Sequence, residues 1–269
     1  KIFYHEERVI GFYDAPLHTN YIGNREISKA ICKEYLTKLL QNPKPNPKCL
    51  QAGQLTLNKE SEKIINEYIE SIRVANTKEG MRIGSIVMNC NPMTNGHLYL
   101  IDTARQMVDL LYIFIVEEDR SDFAFHDRLG LVRNETSSME NVVVVPSGQF
   151  VLSYMTMPLY FEKEEKREEA LDATDDLKIF GNYIAPRLGI TDRFVGEEPI
   201  DLVTRQYNEA MKNILPMYGV SVVEIPRLQQ KGSTVSASRV RQYLKEGNME
   251  AVKSIVPSGV YAYLCQNYK

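Results

Sequence analysis

The 269-residue sequence has no tryptophan, only four cysteines, no large surplus of either charge and no uninterrupted apolar run of transmembrane length. Cys32, Cys49, Cys90 and Cys265 lie far apart without a C-x-x-C pair, which argues against a disulfide framework or a zinc knuckle and fits a reducing cytoplasm. With 32 Lys+Arg against 35 Asp+Glu the formal net charge is -3, so no basic excess draws the chain to nucleic acid or to an anionic membrane. Neither is expected as a partner, and without long apolar runs no membrane span is expected. Any aromatic stacking on a flat ligand falls to tyrosine or phenylalanine. No basic-then-apolar leader follows Lys1, so no targeting segment is read.

What is present is an ordinary soluble composition, 43% hydrophobic and 25% charged, long enough for one large domain or a medium one with a small companion. Residues 1–80 are short on apolar periodicity, and Gln41 to Lys48 carries three prolines, which suits an arm or linker. Within that arm Leu57, Ile64, Ile65, Tyr68, Ile69 and Ile72 recur at helical spacing behind Thr56 and Asn58, predicting one amphipathic helix to about Asn76.

From Met81 the pattern changes. A β-branched apolar run to Asn89 predicts a strand, followed by a helix over 96–108, a strand over 110–116, a helix over 125–137 and a strand over 141–145. Strands apolar on both faces and separated by helices predict a parallel sheet covered on both sides, a doubly wound α/β domain over 81–269. The charged run Glu162 to Asp176 reads as a solvated helix face. A strand over 192–195, a helix over 202–215, a strand over 220–225 and terminal helices from about Ser236 complete the chain.

In an open α/β sheet, ligands bind beyond the carboxyl ends of the strands. The first strand-to-helix loop reads Asn89-Cys90-Asn91-Pro92-Met93-Thr94-Asn95-Gly96-His97. Thr94 and His97 bring a hydroxyl and an imidazole to a helix N-terminus, where free N–H groups favour an anion and Gly96 permits close approach. The loop has neither G-x-G-x-x-G nor G-x-x-x-x-G-K-[ST], so hydride transfer and P-loop chemistry lose support. The alternative is a plain helix cap with a surface imidazole. A second helix start, Val235-Ser236-Ala237-Ser238-Arg239-Val240-Arg241, offers two hydroxyls and the charged fork of Arg241. Its alternative is an N-cap with a surface arginine. Together the two suggest a site for a triphosphate.

These two elements resemble the [HT]-x-G-H loop and the I-S-S-T-x-x-R-like element of the nucleotidylyltransferase superfamily, with Ala237 standing where a hydroxyl is frequent. Within it, GSIVMNCNPMTNGH, EDRSDFAFHDRL (118–129), DLKIFGNYIAPRLGITDRFVGEEP (176–199), VTRQYNEAM (203–211) and VSASRVRQYL are similar to the citrate lyase ligase family. The resemblance covers roughly 81–269 and implies a Rossmann-like nucleotidylyltransferase fold. It also implies a larger, acetyltransferase-like N-terminal domain, for which 80 residues are too few; the chain is either truncated or a shorter relative.

The resemblance implies an ATP-dependent ligase with Mg²⁺ on the phosphates. Acetate or another short carboxylic acid forms an acyl adenylate, and the acyl group then passes to the thiol of an acyl-carrier protein. On that basis His97 donates to the α-phosphate region, while Thr94 and the nearby loop residues Asn89, Asn91, Pro92 and Gly96 hold the nucleotide. Ser236, Ser238 and Arg241 meet the departing phosphates. Gly196 and Glu198 line the adenosine pocket or form a plain tight turn. Arg128 and Lys178 grip the acid or pyrophosphate, or are surface charges. His126 is read as a surface or supporting residue, and Cys90 as a packing residue. No protein-borne metal site is expected. Two alternatives stay open: transfer of AMP or CMP to a phosphorylated small molecule, and a nucleotide-binding module without turnover.

Overall fold

The structure, a computed structural model, describes residues 2–4, 9–11, 57–75, 77–117, 121–153, 156–157, 172–199, 201–230 and 233–268. The proline stretch 41–48, His5, His18, Cys32, Cys49, residues 118–120 and most of the charged run, 162–171, lie outside them. The chain divides into two compact units, Lys1–Glu60 and Ser61–Lys269. In the first, β1 (Ile2–Tyr4) and β2 (Val9–Gly11) pair antiparallel, with Phe3 opposite Ile10.

The second unit is built on five parallel strands: β3 (Ile83–Met88), β4 (Leu110–Ile115), β5 (Val142–Pro146), β6 (Ile190–Gly196) and β7 (Ser221–Ile225). Their order is β5-β4-β3-β6-β7. The chain winds outward from β3 in one direction, then returns to add β6 and β7 on the other side, so the switch point lies between β3 and β6. The expected doubly wound α/β fold is what forms. Every residue of β4 is buried, which is why LLYIFI is apolar without alternation. In β3, Gly84 is required by packing, because a Cβ there would lie 2.6 Å from the Phe194 ring. Phe194 is itself fully buried, and such a ring contributes roughly 2–3 kcal/mol.

One face of the sheet, with Ile86, Met88, Leu111, Ile113, Ile115 and Phe194, packs in one apolar cluster with five helices. These are α2 (Asn95–Arg105), α3 (Phe125–Glu135), α7 (Ala237–Lys245), α8 (Met249–Ile255) and α9 (Ser258–Asn267). The alternate β4 residues Tyr112 and Phe114 turn to the other face, where Phe114 meets Phe180 edge-on at 6.2 Å. Phe180 opens a π-helical segment (Phe180–Ile184) between α4 (Thr174–Ile179) and α5 (Ala185–Leu188), which together form the crossover into β6. Next come α6 (Leu202–Ile214), a 3₁₀ turn (Leu215–Tyr218), and after β7 a short ribbon of β8 (Gln229–Gln230) and β9 (Ser233–Thr234).

Helix α1 (Lys59–Ile72) is the amphipathic helix anticipated in the arm, and its buried residues Ser61, Ile65, Ile69 and Ile72 fall within the larger unit. Tyr68 donates to the Pro146 carbonyl at 2.9 Å, and the Val74 amide just beyond the helix donates to the Tyr112 hydroxyl at 2.9 Å. Asp176, at the end of the charged run, differs from the solvated face expected of it. It is buried and accepts hydrogen bonds from the Leu152 amide (2.7 Å), Thr156 (2.6 Å) and Tyr207 (2.6 Å). Burial pushes its carboxyl upward, and the three donors oppose that push.

Candidate functional site

The β3–α2 loop begins where β3 ends, on the inner side of the switch point. Thr94 is the N-cap of α2, in extended conformation, and makes a reciprocal cap with His97. The Thr94 hydroxyl accepts from the His97 amide at 3.4 Å, while the Thr94 amide donates to His97 Nδ1 at 3.0 Å. A capping box normally uses Glu or Gln for that return bond. An imidazole can serve only with Nδ1 unprotonated, which leaves the proton on Nε2 and makes the outer nitrogen a donor. Burial, and then the positive charge of Arg227, lower the His97 pKa from 6.5 to about 4. The ring is neutral at physiological pH. The amides of Asn95 and Gly96 have no acceptor among the described residues, as expected of the first turn of a helix.

The second predicted helix start comes to the same place. Ser236 caps α7, its hydroxyl accepting from the Arg239 amide at 3.3 Å. Gly96 abuts the residue before that cap: a Cβ at 96 would lie 3.4 Å from the Val235 carbonyl oxygen and 3.4 Å from Thr94 Oγ1. The glycine therefore allows two helix N-termini to adjoin. Arg241, one turn into α7, donates to the Asn91 carbonyl at 2.6 Å, to Ser238 at 3.4 Å and to Asp122 at 3.0 Å. It fastens the late helix to the first loop. The structure thus brings Thr94, Gly96, His97, Ser236, Ser238 and Arg241 together.

Asn89 and Asn91 shape the loop. The Asn91 side chain donates to Asp122 at 3.1 Å and accepts from the Phe123 amide at 3.1 Å; Asn89 accepts from Ser121 at 3.2 Å. Pro92 follows a cis peptide bond, and Cys90, buried with φ 51°, has its thiol pushed upward by burial. It packs, as anticipated.

Arg128 differs from the expectation of a substrate grip. It is 0% exposed and donates to the carbonyls of Phe123 (3.0 Å), Asn89 (2.8 Å) and Val116 (2.8 Å), and to the Asn89 side chain (2.8 Å). The guanidinium ties β3, β4 and the entry to α3 from inside. Lys178 lies on α4, partly buried, and no hydrogen bond or ion pair among the described residues joins it to the loop. His126 is exposed beside Asp127.

Gly196 ends β6, its carbonyl accepting from Asn208 at 3.0 Å. Two residues on, Glu198 accepts from the amide of Asp201 at 3.0 Å and from Arg227 at 2.9 Å. Arg227 had no signal in the sequence: its charge gains meaning only when β6 and β7 pair, ending side by side, and that charge reaches His97. Among the described residues no three His, Cys, Asp or Glu side chains cluster as a metal cage, and no helix is long and apolar enough to cross a membrane. A cavity of about 830 Å³ opens at the opposite, amino end of the sheet, lined by Arg73, Lys78, Arg82, Arg187 and Asp192 among others.

The family described as citrate lyase ligase C-terminal domain matches residues 83–264. The chain is 38% identical to [Citrate [pro-3S]-lyase] ligase of Klebsiella pneumoniae over 80% of its length and 64% of the relative's. To the protein of the same name from Escherichia coli it is 41% identical, over 79% of this chain and 61% of that one. It therefore spans less than two thirds of these relatives. A solved structure of Thermotoga maritima TmcAL bound with alpha-thio ATP aligns over 69% of this chain and 55% of that one, with 16% identity and a TM-score of 0.42.

Proposed function

The chain belongs to the citrate lyase ligase family by its C-terminal domain, and from that premise we propose that it is an ATP-dependent ligase that adenylates a short carboxylic acid, acetate first among them, and passes the acyl group to a carrier-protein thiol. In the first step a carboxylate oxygen attacks the α-phosphorus, and the bond to the bridging oxygen breaks as pyrophosphate leaves. In the second, the thiol sulfur attacks the acyl carbon, AMP leaves, and the thiol proton passes to solvent.

Neither step needs a nucleophile from the protein. Both need negative charge held still and stabilised as it moves onto phosphate oxygens. The observation that carries the reading is the Thr94–His97 cap set against the Ser236 cap. It presents an Nε2–H donor, two helix N-termini and Arg241, itself paired with Asp122, to one place. His97 donates to the α-phosphate oxygens, Arg241 and the hydroxyls of Ser236 and Ser238 to the departing phosphates, and the end of β6 at Gly196 borders adenosine. Mg²⁺ would be held by the nucleotide's own phosphates beside Arg241, Ser236 and Ser238, and would supply charge neutralisation there.

The test is pyrophosphate release by the purified chain from ATP or CTP, with short carboxylic acids or phosphorylated small molecules as acceptors, followed by AMP release on addition of a thiol carrier. Acid-dependent release with AMP as the final nucleotide product is expected. A stable nucleotidyl product would refute the ligase reading in favour of nucleotidyl transfer.

A further inference from the structure

The geometry points to Arg227 as a second cationic ligand of the nucleotide phosphates, held ready by Glu198 and released to a phosphate oxygen on binding. This assignment rests on the adenylating reading. β6 and β7 end level, with Gly196 paired to Ile225, so Glu198 and Arg227 each stand two residues past the sheet on the outer side of the switch point. His97 stands on the inner side. Glu198 is the more deeply placed partner, 10% exposed against 26% for Arg227. Its Oε1 is fixed by the Asp201 amide at 3.0 Å as well as by Arg227 Nη1 at 2.9 Å. The carboxylate is thus fixed by the turn, while the guanidinium is the outward member.

Only one prong of the guanidinium is committed. Arg227 Nε and Nη2 make no hydrogen bond among the described residues, so a two-pronged contact to a phosphate is open to it. Its charge also bears on His97 from across the switch point, where it opposes protonation of the imidazole. A cation whose charge reaches His97, at the start of a helix, is unfavourable there unless an anion is drawn in beside it. An arginine present only to steady the β6–α6 turn would gain nothing from standing near His97.

The experiment is calorimetric titration of the full chain with ATP and, separately, adenosine, for wild type, Arg227→Gln and Arg227→Lys. Removing the charge is expected to weaken ATP about tenfold or more and adenosine less than about twofold, with lysine restoring part of the loss. If the glutamine variant does not fold, the lysine variant carries the test, since it loses the two-pronged contact and should weaken ATP about threefold. ATP affinity kept within about twofold in the variants overturns the assignment and leaves the adenylating reading standing. A wild-type chain that binds no ATP sinks the adenylating reading and this one together.

Discussion

Acidifying the protein should leave His97 uncharged far below the pH at which a free imidazole takes up its proton. Burial is the larger cause and the Arg227 charge the second, and together they move the pKa from 6.5 to about 4. At about 1.4 kcal/mol per pH unit, the folded protein resists that proton by about 3 kcal/mol. The sign follows from the lowered value. The unfolded chain binds the proton below about pH 6.5 and the folded one only near 4, so this contribution is fully present above 6.5. It fades as pH falls toward 4. The Thr94 amide works in the same direction, because protonating Nδ1 would remove its acceptor. Imidazole resonances followed by NMR from pH 7.5 to 4 should include one ring that stays uncharged through pH 6.5, and that ring should be missing in His97→Gln. Urea denaturation of the two proteins should diverge by roughly 2–3 kcal/mol between pH 7 and pH 4.5, wild type losing the more. A His97 midpoint between 6 and 7 in the folded protein would refute the lowering by burial and by the Arg227 charge.

Arg128→Met should destabilise the fold by about 3–5 kcal/mol in urea, since it leaves the carbonyls of Asn89, Val116 and Phe123 without their buried donor; unchanged stability with a lowered rate would restore the substrate-gripping role. Gly96→Val should weaken ATP binding more than it lowers stability, because the added side chain pushes Val235 and the α7 start away from Thr94. Equal ATP affinity in calorimetry would show that the two helix starts need not touch.

The sheet was legible because its central strands, β4 (LLYIFI) above all, are buried and therefore continuously apolar, and because Gly, Asn and Pro punctuate the strand ends. The T-x-G-H loop was legible because a cap, a glycine and an imidazole keep a fixed local spacing. Arg128 and Arg227 were not, for opposite reasons. On a helix with little amphipathic pattern, nothing local distinguishes a guanidinium that binds three carbonyls inside the protein from one in water. Arg227 belongs to no motif, and its role arises from the pairing of β6 with β7. The π-helical turn at Phe180–Ile184 has no local signature either: Gly181 sits where a Cβ would lie 2.5 Å from the Tyr218 ring, a constraint set by a residue far along the chain.

The bond from Arg241 to the Asn91 carbonyl joins residues 150 apart in sequence. During synthesis the first strand and its loop leave the ribosome long before β6, β7 and α7 exist to flank them. A nascent chain can pair β3 with β4 and β5 early, because those contacts are close in sequence, but the loop must wait for its arginine. Nucleotide affinity should therefore appear only once α7 has been made, so fragments ending before it hold all five strands but lack Arg241 and the second helix start.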